Sequence, residues 1–168
     1  MQTPSLGPEK QVAFQLANHS FSLGFSEMRE FAGGVEVTPV ASNQPAYLGT
    51  IRRKGQMIPV IDLRRQFGLP QVSMTLQNSF VVLALEGQKT AAALWVDALL
   101  PLLDAAPEAL EPVSEMLSPV PVGYLRGQIR LNGQIFYRLN LERVLQDAPL
   151  GLGEEAVSAW FETDVKAG

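Results

Sequence analysis

The feature that most constrains this chain is an internal repeat. With Gly55 set against Gly133, an offset of 78, residues 49–67 and 127–145 align without a gap. Gly49 meets Gly127, Ile51 meets Ile129, Arg52 meets Arg130, Gln56 meets Gln134, Leu63 meets Leu141 and Arg65 meets Arg143. Tyr47-Leu48 precedes the first segment and Tyr124-Leu125 the second, with one residue inserted in the second. Each segment reads as strand, tight turn, strand and short helix. Asn132-Gly133 between alternating apolar residues is a strong hairpin signal, because both central turn positions need positive φ. Two further hairpins, at 12–25 and 81–96, sit about forty residues before their partners by the same register of apolar alternation. Two copies are too few for a solenoid. The pattern predicts an all-β chain of two similar barrels of about five strands each, closure removing most exposed edges.

These boundaries place one domain over 11–147, with a first barrel half at 11–76 and a second at 77–147. A tail follows over 148–168. In that tail Val157, Trp160 and Phe161 recur at helical spacing and predict a helix docked on apolar surface. Leu63 to Phe67 and Leu141 to Gln146 read as short helices. Pro39 to Pro45 and Asp104 to Pro121 read as links.

Composition narrows function mainly by exclusion. The 168 residues include no cysteine and one histidine, His19, at a predicted turn. Thiolate catalysis and zinc-thiolate sites are excluded, and imidazole chemistry has little to work with. No spacing fits a P-loop, a dinucleotide fingerprint or a metal-ligand set, so no catalytic, cofactor or metal residue is assigned. Asp62 and Asp97 each end an apolar strand and are expected to bond nearby backbone. The lack of thiols and of an export signal predicts a cytoplasmic protein, and no apolar run is long enough to insert in a membrane. Residues 1–76 carry seven Lys/Arg against five Asp/Glu, a net of +2. Residues 77–168 carry six against twelve, a net of −6. The overall charge of −4 disfavours nucleic acid as the main partner. Nucleic-acid binding by a small barrel is still the alternative reading, because five of the thirteen cations cluster at Arg52-Arg53-Lys54 and Arg64-Arg65. No aromatic stacking row accompanies them.

The run from Gly49 to Arg64, with Gly55, Pro59 and Asp62-Leu63-Arg64 as its fixed points and Phe67-Gly68 after it, resembles the signature of the CheW-like adaptor family. That signature is a Gly-x-x-Asn-Leu-Arg-Gly turn followed by a strand ending Pro-x-x-Asp-Leu-Arg. Phe21 to Phe31, Trp95-Val96-Asp97, Tyr124-Leu125-Arg126-Gly127 and Leu139-Asn140-Leu141-Glu142 extend the likeness from Val12 to Leu145. The resemblance implies two SH3-like five-stranded barrels packed together and a non-enzymatic coupling protein of bacterial chemosensory signalling. Its implied partners are the cytoplasmic tips of chemoreceptors and a CheA-type histidine kinase, with recruitment to membrane receptor arrays. It also implies a receptor groove drawing on Met28, Glu30, Phe31, Leu99 and Leu102, and a partner-binding hairpin tip at Arg52, Arg53 and Lys54. Two departures stand out. Lys54 replaces the signature arginine, keeping charge but losing the planar fork. Ala98-Leu99-Leu100-Pro101-Leu102 replaces the family's Gly-Val-x-Asp-Val.

Overall fold

A computed structural model of the chain describes residues 9–40, 45–84 and 92–147. The predicted tail helix lies outside the described residues. The described residues hold eleven strands: β1 (Glu9–Leu16), β2 (His19–Gly24), β3 (Met28–Gly33), β4 (Thr38–Pro39), β5 (Tyr47–Arg53), β6 (Gln56–Asp62), β7 (Ser79–Leu83), β8 (Ala93–Val96), β9 (Ala98–Ala105), β10 (Leu125–Leu131) and β11 (Gln134–Leu139). Helix α1 (Leu63–Phe67) follows β6, and α2 (Leu141–Asp147) follows β11.

The strands form two sheets. One is ordered β3-β7-β8-β6-β5-β4 and the other β10-β11-β2-β1-β9. The first closes across its seam through β4, which follows β3 and pairs with β5, Thr38 with Thr50, and side chains reinforce the closure. Arg53 on β5 bonds Glu30 on β3 at 2.5 Å, and Arg29 Nη1 donates to Gln56 Oε1 at 3.4 Å. The second closes in the same way, at the position equivalent to the pairing of Thr38 with Thr50. Beyond β9, Glu111 bridges to Gln128 on β10 with N–H···O bonds of 2.9 and 2.8 Å.

The division of the chain at residue 76 does not follow these sheets. The hairpin β1–β2 belongs with β9–β11, and β7–β8 belongs with β3–β6. The reason is which strand becomes the parallel neighbour in each sheet. From β6 the chain passes through α1, and β8 then lies parallel to β6, pairing Val60 with Ala93 and Asp62 with Trp95. The matching place beside β11 is filled from the other end of the chain by β2, pairing Phe136 with Ser20 and Arg138 with Ser22. Each barrel is therefore built on one repeated segment, but the two hairpins are exchanged relative to their order along the chain.

Burial explains why the exchange holds. Phe80, Val82, Ala93 and Trp95 face the interior of the first barrel. Val81, Leu83, Leu94 and Val96, on the opposite face of the same strands, join Phe14, Leu16, Phe21, Leu23, Leu139 and Val144 in one cluster between the sheets. Strands buried on both faces read as continuous apolar runs, as β7 and β8 do. The inter-sheet cluster also takes Leu63 and Phe67 of α1 and Leu141 and Leu145 of α2. Gln66 Nε2 donates to the Val144 carbonyl at 2.8 Å and ties the two helices.

The repeat is obeyed closely by the backbone. Lys54-Gly55 and Asn132-Gly133 all have positive φ, at 49° and 79° against 52° and 80°. Both β5 and β10 carry a bulge, between Tyr47 and Gly49 and between Leu125 and Gly127. Tyr47 pairs with Ile61 and Leu125 with Leu139, so the offset stays at 78 through the bulge. The one-residue insertion suggested by Tyr124-Leu125 is not needed. Tyr124 lies outside β10, in a 3-10 turn over Val122–Tyr124.

Candidate partner-binding surface

The two strands predicted to line a groove, β3 and β9, occupy equivalent edges of the two sheets. Met28 pairs with Leu83 and Leu99 with Phe14, and both of those partners lie in the inter-sheet cluster. Met28 is half-buried against that cluster, while Phe31, Leu99 and Leu102 are exposed. The segment Ala98–Leu102 forms the start of β9. Pro101, which cannot donate to a ladder, is accommodated because β9 is an edge and because the register with β1 shifts between Gln11 and Ala13. That shift leaves Leu102 beside Pro101, Leu131 and Phe136 at a cavity of about 360 Å³, next to the β10–β11 turn. No strand pairing joins β3 to β9 among the described residues.

Glu30 and the hairpin tip are brought together, a link the sequence reading missed. Arg53 Nη2 donates to Glu30 Oε1, and this hydrogen bond holds the Glu30 carboxyl below its usual range and raises Arg53. Only one prong is used, because Glu30 Oε2 and Arg53 Nε are buried without a partner. Arg53, rather than Lys54, thus supplies the guanidinium at this position. Lys54 sits in the turn itself, at φ 49°. Arg52 and Lys54 are exposed and make no ion pair among the described residues. The available signal was the barrel seam, since β3 and β5 lie near opposite ends of one sheet order and closure must bring them together.

The five-cation cluster does not persist as one surface. Arg64 is buried, with Nη2 donating to both Asp97 oxygens at 2.8 and 2.7 Å and its guanidinium 5.8 Å from the Trp95 ring centre. Arg65 lies 3.4 Å from the Asp62 carboxylate. Both aspartates bond backbone as expected. Asp62 caps α1 by accepting the N–H groups of Arg64 and Arg65, and Asp97 accepts that of Ala17 at 2.8 Å. Burial outweighs these bonds at Asp62 and raises its pKa. Three residues of the tip are left as surface cations or seam contacts, and Arg64-Arg65 are structural.

Among the described residues, no group of three or more His, Asp or Glu is placed to hold a metal ion, and no helix is long and apolar enough to cross a membrane. What the fold presents is a pair of fused barrels with exposed apolar edge strands, the architecture of a binding scaffold. A family model described as the CheW-like domain matches residues 10–149, and the chain belongs to that family. It is similar to the "Probable chemotaxis protein CheW" of Rhizobium etli, 25% identical over 142 residues that cover 84% of this chain and 90% of that one. It is also similar to the "Chemotaxis protein CheW" of Klebsiella aerogenes, 25% identical over 141 residues and 84% of each chain. Among solved structures, the scaffolding protein TtCheW from Thermoanaerobacter tengcongensis superposes with a TM-score of 0.71. It is 23% identical, over 79% of this chain and 89% of that one.

Proposed function

We propose that this protein is a non-enzymatic scaffold of a bacterial chemosensory pathway, joining the cytoplasmic tip of a chemoreceptor to a CheA-type histidine kinase. The observation that carries the reading is the family match over 10–149, which spans both barrels and every strand but the first residue of β1. The receptor seat in this reading is the apolar border of the inter-sheet cluster, with Met28, Phe31 and Leu99 as contacts, Leu102 at its far end and Glu30 fixed by Arg53. A helical hairpin would lay its apolar face there. Arg52 and Lys54 add positive charge at the tip, where rim charges set association rate and salt dependence.

The test is reconstitution with a purified receptor cytoplasmic fragment and the kinase from the same source. The protein is expected to co-sediment with both and to raise the kinase activity recovered with the receptor fragment. If it binds neither, the assignment fails. Because the chain has no cysteine, single cysteines at 28 and 102 report the groove by crosslinking. A receptor fragment that binds yet crosslinks at neither position moves the groove elsewhere.

A further inference from the structure

The two barrels differ at one end in a way that their shared backbone makes easy to see. In the first barrel, Val60 pairs with Ala93 and Phe80 pairs with Trp95, and all four are buried in the interior. Leu48, in the bulge of β5, packs against them. In the second barrel the matching pairs are Arg138 with Ser22 and Gln11 with Gly24, and the bulge residue is Arg126. An apolar plug is replaced by polar side chains and an absent one. Trp95 corresponds to Gly24, and a cavity of about 580 Å³ opens there, bordered by Lys10, Phe25, Glu27, Arg126 and Arg138 as well as Gly24.

Several groups at this end are unsatisfied. Gln11 is 2% exposed and Ser22 0%, yet Gln11 Oε1 and Ser22 Oγ have no hydrogen-bond partner, and neither does Arg138 Nε. Unpaired polar atoms are costly in a barrel interior, and of these three residues Arg138 lines the cavity. The nearest carboxylate to Arg138 is Glu27, at 3.8 Å, and Glu27 Oε1 already accepts the Gly24 N–H at 2.8 Å. Lys10 is shared with Asp104 at 2.9 Å. The Arg126 side chain makes no ion pair or hydrogen bond among the described residues, and it lines the cavity from the β10 bulge. Phe25, 51% exposed, borders the same space. Two guanidiniums from neighbouring strands present forked donors suited to an oxyanion, and an aromatic face lies beside them.

We propose that the open end of the second barrel binds a small organic phosphate or carboxylate, its oxyanion held by Arg138 and Arg126 and its apolar body against Phe25. The site is independent of the chemosensory reading, because it uses neither β3, the β9 edge residues nor the hairpin tip.

The test is calorimetric titration of the full chain with phenyl phosphate, benzoate, inorganic phosphate and benzyl alcohol. Phenyl phosphate or benzoate is expected to bind saturably at one site, and the one that binds identifies the oxyanion. Benzyl alcohol is expected not to bind, and inorganic phosphate to bind at least about tenfold more weakly for want of the apolar contact. Arg126→Ala, an exposed change, should keep the melting temperature and weaken binding by about tenfold or more. Gly24→Trp, which restores the plug of the first barrel, should abolish binding while the circular dichroism spectrum stays that of the folded chain. Gly24 has φ −64°, open to any residue, and the nearest atoms to a new Cβ are the side-chain ends Arg138 Nη2 at 3.0 Å and Glu27 Oε1 at 3.3 Å, not backbone. The proposal is overturned if neither phenyl phosphate nor benzoate binds the wild type, or if both variants bind as the wild type does.

Discussion

The segments 49–67 and 127–145 run through the same backbone course in two barrels, and their differences separate what the fold demands from what each barrel is free to vary. Both keep a glycine after the bulge, a positive-φ turn, a capped short helix and an apolar contribution to the inter-sheet cluster. They differ in which side chains pair across the seam, what fills the barrel end and which residue caps the helix. The shared features are backbone requirements, and no side-chain choice can substitute for them. The divergent ones are side-chain solutions to the same geometry. Substitutions at equivalent positions therefore measure how far the equivalence extends in energy as well as in shape.

The largest effects are expected at Gly49 and Gly127. Their φ values are 152° and 158°, a region open essentially to glycine alone. A Cβ on Gly49 would lie 2.2 Å from the Thr38 carbonyl oxygen and 2.9 Å from its carbon. On Gly127 it would lie 2.7 Å from the Glu111 carbonyl oxygen and 2.9 Å from the Leu110 side chain, which can turn away. Backbone strain alone is worth about 1–3 kcal/mol, and the steric conflict adds to it. Gly49→Ala should therefore cost about 3 kcal/mol or more and Gly127→Ala less, read from denaturant midpoints at unchanged slope. An equal or larger loss at Gly127 would show that the strand facing Gly49 moves aside more readily than its short contact suggests.

Next come the caps at Asp62 and Asn140, again 78 apart. Asp62 is buried and accepts the Arg64 N–H at 2.9 Å, whereas Asn140 accepts the Arg143 N–H at 3.3 Å from a more exposed position. Asp62→Ala should cost about 1–2 kcal/mol and Asn140→Ala about half as much. Acid separates them further. Burial raises the Asp62 pKa above its ordinary 3.8, so protonation favours the folded state. That contribution is full below about pH 3.8 and is lost as pH rises through the folded pKa. The stability difference between wild type and Asp62→Asn should change across this window, in favour of wild type on the acid side. Variants of Asn140 should show no such change. A pH-independent Asp62→Asn difference would mean that the carboxylate is not held in a desolvated position.

These comparisons also show what the sequence could and could not reveal. The glycines and turn residues were legible because each answers a local backbone demand, and the repeat followed from them. The exchange of β1–β2 with β7–β8 was not, because it depends on which strand becomes the parallel neighbour of β6 and which of β11, a long-range choice that local alternation does not encode. Arg64 looked like a surface cation because its partner Asp97 lies 33 residues away. The link between Glu30 and Arg53 was hidden for the same reason, although both residues had been singled out separately. The open barrel end had a visible signal in retrospect. At the offset of 78, Val60 becomes Arg138, an interior apolar position turned into a charged one.

The smallest effect concerns the hairpin turns. Lys54 and Asn132 hold nearly the same left-handed conformation, at φ 49° and 52°, each followed by glycine. Asparagine tolerates this region because its short polar side chain can bond locally, whereas lysine has no such compensation. Lys54→Asn should therefore stabilise the protein by roughly 0.5 kcal/mol, and Asn132→Lys should destabilise it by a similar amount. Lys54→Glu, which keeps the unfavourable conformation and reverses the charge, should leave the melting temperature near wild type while weakening association with receptor or kinase. The pair of variants at one position thus divides conformation from charge. If Lys54→Asn stabilises the chain and weakens partner association as Lys54→Glu does, the lysine is held in a costly turn conformation for the sake of its charge. Unchanged affinities in both variants would make the tip a solvated turn, and the difference from Asn132 would carry no functional meaning.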